Sequence, residues 1–336
     1  MKMDAISLSL EVSMKKAGKI VLISVASVFV LLSSFVLGVV INGNCFEKYK
    51  EDKLDQVNWM SRISDEKKIN EIVIPGSHDS GCYNMSYLGE TQYLTIKEQL
   101  DVGVRYFDIR VNKDHDKYVI FHSIINGVEF DPILDDIKSF LDTNNTETLL
   151  LDFQHFNNGA DAYVYEKLSL KLGDYLLSNN TAKNDLEYVS SLTLKDTRGK
   201  CLVFFGDDSK YCSNAEILSR NNDACTNKGC ALDSMYETER NSKDSKTYIN
   251  ESIPFYIEGI KNKINNEGHK GIFVLQCQLT DGKLIFGPYS KEKKHDKNMS
   301  EFINSLKDKE YFNLINVLMR DFIDYDICND IINLNF

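Results

Sequence analysis

Short apolar runs that end in polar, reactive side chains are the feature that most constrains the fold of this chain. Residues 71–74 (EIVI), 104–107 (VRYF) and 118–121 (YVIF) are such runs. The polar residues that follow them are His78 and Asp79, then Asp108 and Arg110, then His122. In a parallel αβ barrel, active-site residues collect at the carboxyl ends of the strands. The pattern therefore predicts that these side chains meet at one end of a parallel sheet.

Further apolar runs continue the series through the rest of the chain. Residues 148–152, 201–205, 272–277 and 314–319 are predicted strands, which brings the total to seven. Helical periodicity predicts helices at residues 95–102, 131–141 and 163–177. Alternating strands and helices indicate the α/β class, and a TIM-type (β/α)8 barrel is the expected fold, with irregularity in the polar region 209–252.

The segment 20–41 is uncharged and predicts a transmembrane helix at the N-terminus. Its 22 residues would span about 33 Å as a helix, enough to cross a bilayer core. Lysines precede the segment and glutamates follow it, so we expect a cytoplasmic N-terminus and an extracytoplasmic catalytic domain. The alternative is a cleaved signal peptide and a secreted protein, but the apolar run is longer than a signal peptide requires.

These features divide the 336 residues into four predicted parts. They are a cytoplasmic segment (1–19), a transmembrane signal anchor (20–41), a juxtamembrane linker (42–54) and a catalytic barrel (55–336). A barrel of this type needs about 250 residues, which the last part provides.

Composition excludes some functions. The net charge is −11, so the chain lacks the basic footprint of a nucleic-acid-binding protein. The same charge disfavours electrostatic adsorption to anionic membranes, so lipid contact would depend on apolar loops or on tethering.

The cysteines give two expectations. Cys201 and Cys277 lie inside apolar strand patterns and are expected to be buried thiols. Cys212, Cys225 and Cys230 lie in a polar, loop-like region, where unpaired thiols or one local disulfide are favoured over a zinc site because no Cys-x-x-Cys or histidine spacing is present.

The motifs IPGSHDS, EQLDVGVRYFDIR, FHS and ETLLLDFQHF, in this order, resemble the catalytic X domain of phosphatidylinositol-specific phospholipase C. The resemblance covers residues 70–157 and is closest to the X-domain-only proteins and the single-domain bacterial enzymes. It implies a TIM-type barrel and a phosphoric diester hydrolase or phosphorus–oxygen lyase. Such an enzyme cleaves an inositol phospholipid into diacylglycerol and an inositol (cyclic) phosphate.

The resemblance also implies roles for individual residues. His78 is the candidate base that activates a ring hydroxyl, and Asp321 is its carboxylate partner. His122 is the candidate acid that protonates the leaving oxygen, with Asp79 in support. An imidazole titrates near neutral pH, which suits both roles.

Arg110 indicates that no metal takes part. Calcium-dependent members of the family carry acidic ligands in this region, and the matching positions here hold Asp79, Asp108, Arg110 and Gln154. A guanidinium repels a cation and can itself stabilise a phosphate. We therefore expect a calcium-independent enzyme without a cofactor, in which Asp108 helps to hold Arg110.

Asp108, Asp152 and Gln154 are the predicted substrate-binding residues, although a strand-end carboxylate such as Asp152 can equally be satisfied by the backbone. The expected partner is a phosphatidylinositol-type membrane lipid, and the expected state is a monomer that binds no nucleic acid. Two other functions remain open: a phosphodiesterase acting on another lipid headgroup or a glycosyl-phosphatidylinositol anchor, and a non-catalytic lipid-binding surface protein.

Overall fold

The computed structural model describes residues 56–181, 183–206, 209–221, 229–279 and 287–336, and these residues belong to one compact unit, Tyr49–Phe336. Parallel strands form its centre. In chain order they are β1 (Ile74–Ser77), β2 (Tyr106–Asp114), β5 (Thr148–Asn157), β6 (Lys200–Phe205), β7 (Ile217–Leu218), β8 (Leu232–Met235), β9 (Ile272–Gln276) and β10 (Val317–Arg320). The remaining strands, β3 (Lys117–His122) and β4 (Ile125–Glu129), extend from β2 as a hairpin.

The parallel strands follow one another around a barrel whose seam lies between β7 and β8. The hydrogen-bonded order runs from β7 through β6, β5, β2, β1, β10 and β9 to β8. At the seam, the backbone N–H groups of Ala231 and Leu232 donate to Ser219 O over 3.1 and 3.2 Å, and Asn221 N donates to Leu232 O over 2.9 Å. These few bonds close the barrel less firmly than the regular ladders elsewhere. The sequence had not indicated β7 or β8.

The third predicted strand does not belong to the parallel series. β3 pairs antiparallel with β2, from Val111 opposite Ile120 to Asp114 opposite Lys117. His115 turns the chain with a left-handed backbone, φ 54°. The expectation that His122 ends a parallel strand was therefore wrong, because β3 runs back towards the barrel.

Helices cover much of the remaining described chain. They are α1 (Ile96–Asp101), α2 (Asp131–Thr143), α3 (Ala160–Leu172), α4 (Asp185–Ser191), α5 (Leu194–Thr197), α6 (Thr238–Asn241), α7 (Ser245–Thr247), α8 (Ile253–Glu267), α9 (Gly287–Asn304) and α10 (Tyr325–Asn333). Local sequence determines several of their ends. Thr95 and Glu98 form a capping box at the start of α1, and Gly103, at φ 109°, follows its end.

The barrel strands are buried, as their uninterrupted apolar runs indicate. Leu150 and Leu151 of β5 and Val203 of β6 have no exposed surface. Trp59 is also fully buried, and its Nε1–H donates to Gly103 O over 3.0 Å. The chain has therefore joined the barrel core by residue 59.

The expectation of buried thiols inside the apolar strand patterns is confirmed. Cys201 and Cys277 are buried free thiols, and Cys212 is disulfide-bonded. Cys230 is a free thiol, and Cys225 lies outside the described residues.

The predicted fold class, a barrel preceded by a transmembrane helix, is wrong as stated. Across the described ranges, no helix is both long enough and apolar enough to cross a bilayer. The segment on which the prediction rested, residues 20–41, lies outside those ranges. The predicted localisation, a membrane-anchored protein with an extracytoplasmic domain, depended on that helix. This prediction is therefore wrong as well.

Candidate active site

The turn that follows β1 presents His78 and Asp79 at the carboxyl end of the barrel. Gly76 allows the neighbouring strands to approach, because a Cβ there would lie 2.8 Å from Val317 Cγ1 and 2.9 Å from Tyr106 Cδ1. The backbone N–H of His78 donates to Arg320 O over 3.0 Å. Asp79 then turns the chain with φ 44°, and its buried side chain meets Arg110 in the middle of β2.

His78 is held at both ring nitrogens. Its Nδ1–H donates to Asp321 Oδ1 over 2.7 Å, since a carboxylate only accepts. Its Nε2 lies 3.2 Å from Arg110 Nη2 and 3.5 Å from Asp79 Oδ2. The side chain is 13% exposed, so solvent or a ligand reaches it.

Opposing effects set the charge of His78. Burial lowers the pKa of the imidazole, but the charges of Asp79 and Asp321, together with the Asp321 hydrogen bond, outweigh burial and raise it to about 9. In the free protein at neutral pH the ring is therefore mostly protonated.

Arg110 stands between two carboxylates. Its Nε lies 2.6 Å from Asp79 Oδ1, and its Nη2 donates to Asp108 Oδ2 over 2.9 Å. Burial alone would lower the pKa of the guanidinium, but Asp108 and Asp79 raise it, so the positive charge is permanent. Burial likewise opposes ionisation of Asp79, but Arg110 and then His78 hold its pKa below the usual value.

His122 reaches the same site from β3. Its Nδ1–H donates to the carbonyl of Gly89 over 2.9 Å, so Nε2 is the nitrogen turned towards the site. That atom lies 3.7 Å from Asp79 Oδ2, and the side chain is 27% exposed. Asp79 thus lies between the two histidines.

Asp152 and Gln154 lie on β5 beside these residues. In the sheet register Asp152 is opposite Asp108. The carboxylate of Asp152 accepts the Tyr106 hydroxyl over 2.6 Å and pairs with Arg220 Nε over 2.8 Å. Burial raises the pKa of Asp152, against the charge of Arg220. Gln154 is buried close by.

The structure therefore brings together every site residue that the sequence predicted. It also adds Tyr106 and Arg220, which the sequence analysis missed. Arg220 falls in the polar region 209–252, where no periodicity marked a strand. Tyr106 was hidden inside an apolar run.

His78, Asp79 and Asp108 are spaced closely enough to ligate a metal ion, with one ligand atom from each within 4.8 Å of the others. However, Arg110 already contacts both carboxylates. The donor set therefore fits a guanidinium better than a cation, because an added metal ion would face that fixed positive charge.

The sequence pattern of the family described as "Phosphatidylinositol-specific phospholipase C, X domain" matches residues 66–205 of this chain. Two bacterial relatives are named 1-phosphatidylinositol phosphodiesterase. The one from Staphylococcus aureus is 32% identical over 186 residues, covering 52% of this chain and 56% of the relative. The one from Listeria monocytogenes is 29% identical over 177 residues, covering 50% of this chain and 54% of the relative. The chain spans about half the length of these relatives in the matches.

The fold likeness extends further than the sequence likeness. The solved phosphatidylinositol-specific phospholipase C from Listeria monocytogenes superposes with a TM-score of 0.60 at 20% identity, covering 84% of this chain and 99% of that one. The solved Staphylococcus aureus phosphatidylinositol-specific phospholipase C superposes with a TM-score of 0.58 at 22% identity, covering 84% of this chain and 98% of that one. These structures show the barrel fold beyond residue 205. Residues 66–205 therefore match the X domain of phosphatidylinositol-specific phospholipase C, and the chain is similar to this family.

Proposed function

We propose that this protein is a phosphatidylinositol-specific phospholipase C that works without a metal ion. It would cleave the bond between phosphorus and the diacylglycerol oxygen, releasing diacylglycerol and an inositol cyclic phosphate. The contact of the Arg110 guanidinium with Asp79, Asp108 and His78 Nε2 carries this proposal, because it puts a permanent cation beside a candidate base. The names of the bacterial relatives support the choice of substrate.

His78 is the proposed general base. Asp321 fixes the ring through Nδ1, which leaves Nε2 to remove the proton from the inositol hydroxyl next to the phosphodiester. The resulting oxygen attacks phosphorus within the same molecule, and the bond to the diacylglycerol oxygen breaks. Such an intramolecular attack gains from proximity and needs no activated water.

His122 is the proposed general acid. Its Nδ1–H is held by the Gly89 carbonyl, so a proton on Nε2 is the one it can donate to the departing oxygen. Asp79, 3.7 Å from that nitrogen, would stabilise the protonated ring.

Arg110 would bind the phosphate and stabilise the charge that develops on its oxygens. A guanidinium offers several donors in a fixed plane, which suits this task. Asp108 holds Arg110 in place. Protein groups already engage Asp152 through both Tyr106 and Arg220, so we assign it a supporting role, with Gln154 as the neighbouring substrate contact.

All of these side chains come from one chain, so a monomer acting on lipid in a membrane would suffice. The test is release of inositol phosphate from phosphatidylinositol vesicles by the full chain in EDTA. We expect turnover that calcium does not increase, loss of turnover in His78→Ala, and no loss in His115→Ala, which removes a surface histidine.

Turnover that appears only after calcium is added would contradict the proposed role of Arg110. Turnover that survives His78→Ala would contradict the proposed base. No turnover in either condition would contradict the choice of headgroup.

A further inference from the structure

A cavity of about 770 Å³ lies at the end of the barrel opposite the candidate active site. Its wall includes Val73, Lys270 and Ile315, which lie one or two residues before the starts of β1, β9 and β10. At the other ends of these strands, His78 and Asp79 follow β1 and Asp321 follows β10. The cavity is therefore separate from the site already described, and its volume is typical of a small-molecule pocket.

The charge of this cavity is opposite to that of the protein as a whole. Of the residues that the structure describes, four lysines and one acidic side chain, Glu71, line it, in a chain whose net charge is −11. The lysines are Lys67, Lys68, Lys270 and Lys307. Among the described residues, none of the four forms a salt bridge with a carboxylate, unlike many other lysines of the chain, such as Lys117 and Lys138.

Two of these lysines are held by neutral groups. The Nζ of Lys270 donates to Asn313 O over 2.6 Å, and the Nζ of Lys307 donates to Asn333 O over 3.0 Å. Carbonyl oxygens fix the two amines without neutralising them. Burial lowers the pKa of Lys270 to about 8, and the charge of Lys67 adds to the effect, although Glu71 opposes it. An anion in the cavity would relieve this repulsion.

Asn70 gives the cavity a buried hydrogen-bond acceptor that a ligand could pair with. It lies in the cavity wall and is 4% exposed, and its amide nitrogen donates to Lys270 O. Its Oδ1 has no donor among the described residues. A buried acceptor without a donor costs free energy, and a ligand hydroxyl that reached Asn70 would supply the missing donor.

We propose that this cavity is a second binding site, for a small soluble molecule that carries two phosphate groups and free hydroxyl groups, as a sugar bisphosphate does. The phosphates would contact Lys270 and Lys307, with Lys67 and Lys68 at the mouth. The hydroxyl groups would face Asn70. This proposal does not depend on the proposed activity at the other end of the barrel.

The first test is calorimetric titration of the full chain with fructose 1,6-bisphosphate in phosphate-free buffer at pH 7. We expect saturable binding that weakens about ten-fold or more in the double variant Lys270→Gln, Lys307→Gln. The matched control, Lys117→Gln with Lys138→Gln, removes two surface lysines that already have carboxylate partners and should bind as the unaltered protein does. Absence of binding, or equal weakening in the control, would overturn the proposal.

The second test locates the ligand in the unaltered protein, in case the double variant fails to fold. Lysines are acetylated briefly at pH 8, and each site is quantified by mass spectrometry. We expect the bisphosphate to slow modification of Lys270 and leave Lys138 unchanged. Unchanged acetylation of Lys270 in the presence of the bisphosphate would overturn the proposal. Binding that is lost in Arg110→Gln and kept in the lysine double variant would place the ligand elsewhere, and would overturn it too.

Discussion

Arg110 and Asp79 form a close ion pair at the centre of the candidate site, with 2.6 Å between Nε and Oδ1. The two residues are 31 positions apart in the sequence. They meet because β1 and β2 are adjacent parallel strands, and β1 ends level with Phe107, three residues before Arg110. The pair places a fixed positive charge within a group of carboxylates and histidines.

The first prediction concerns the shape of the cation. Arg110→Lys keeps the charge but removes the planar set of donors that contacts Asp79, Asp108 and a phosphate together. We expect kcat/KM for phosphatidylinositol to fall about 100-fold or more, with little change in the melting temperature. Arg240→Lys, at a partly exposed arginine paired with Glu237, is the control and should keep full activity. Full activity in Arg110→Lys would mean that charge alone is sufficient.

The second prediction concerns pH. If His78 acts as a base, kcat/KM should rise with pH and level off near its pKa of about 9. Asp321→Asn removes the negative charge that raises the pKa of His78 and weakens the hydrogen bond to Nδ1, because a neutral amide oxygen accepts less strongly than a carboxylate. The rising part of the plot of kcat/KM against pH should therefore move to lower pH. Its maximum should fall, because the imidazole ring of His78 is held less firmly.

The measurement is kcat/KM from pH 5 to pH 10, a range chosen to bracket the ordinary and the raised histidine pKa. Asp114→Asn is the matched control, because Asp114 pairs with the surface residue His115. If the rising part of the pH profile does not move in Asp321→Asn, a group other than His78 controls it.

The third prediction separates the acid from the base. Loss of a general acid matters most when the leaving oxygen is strongly basic. His122→Ala should therefore slow cleavage of the natural lipid about 100-fold or more, but should slow a substrate with a phenol leaving group far less. His78→Ala should impair both substrates. An equal loss with both substrates in His122→Ala would exclude the proposed role.

The fourth prediction concerns the backbone that supports the site. A Cβ at Gly206 would lie 2.6 Å from Gln154 O and 2.8 Å from Arg220 Nη1. Gly206→Ala should therefore reduce the free energy of unfolding by about 1–3 kcal/mol, measured by urea denaturation. At Gly173, an added Cβ would meet nothing within 4 Å, so Gly173→Ala should not destabilise the protein. Equal stability in both variants would mean that both the Gln154 carbonyl oxygen and Arg220 move aside at no cost.

The sequence predicted the residues of the site better than it predicted how they meet. His78, Asp108 and Arg110 follow apolar runs, and such runs reliably indicate buried strands. His122 also follows one, but its strand turned out to be antiparallel, because periodicity shows that a strand exists and not which direction its neighbour runs. The transmembrane helix was predicted from hydropathy alone, and no described helix supports it.

By itself, the sequence determined the family motifs, the strand-forming segments and the identity of the reactive side chains, because each depends on a few neighbouring residues. Only the tertiary structure decided that Arg220 pairs with Asp152 and that four of the described lysines line one cavity. It also places Asp321, the partner that the family resemblance implied, against His78 across 243 positions. Such contacts depend on the order and register in which the barrel strands pair. That pairing comes from packing the whole core, so no local stretch of sequence encodes it.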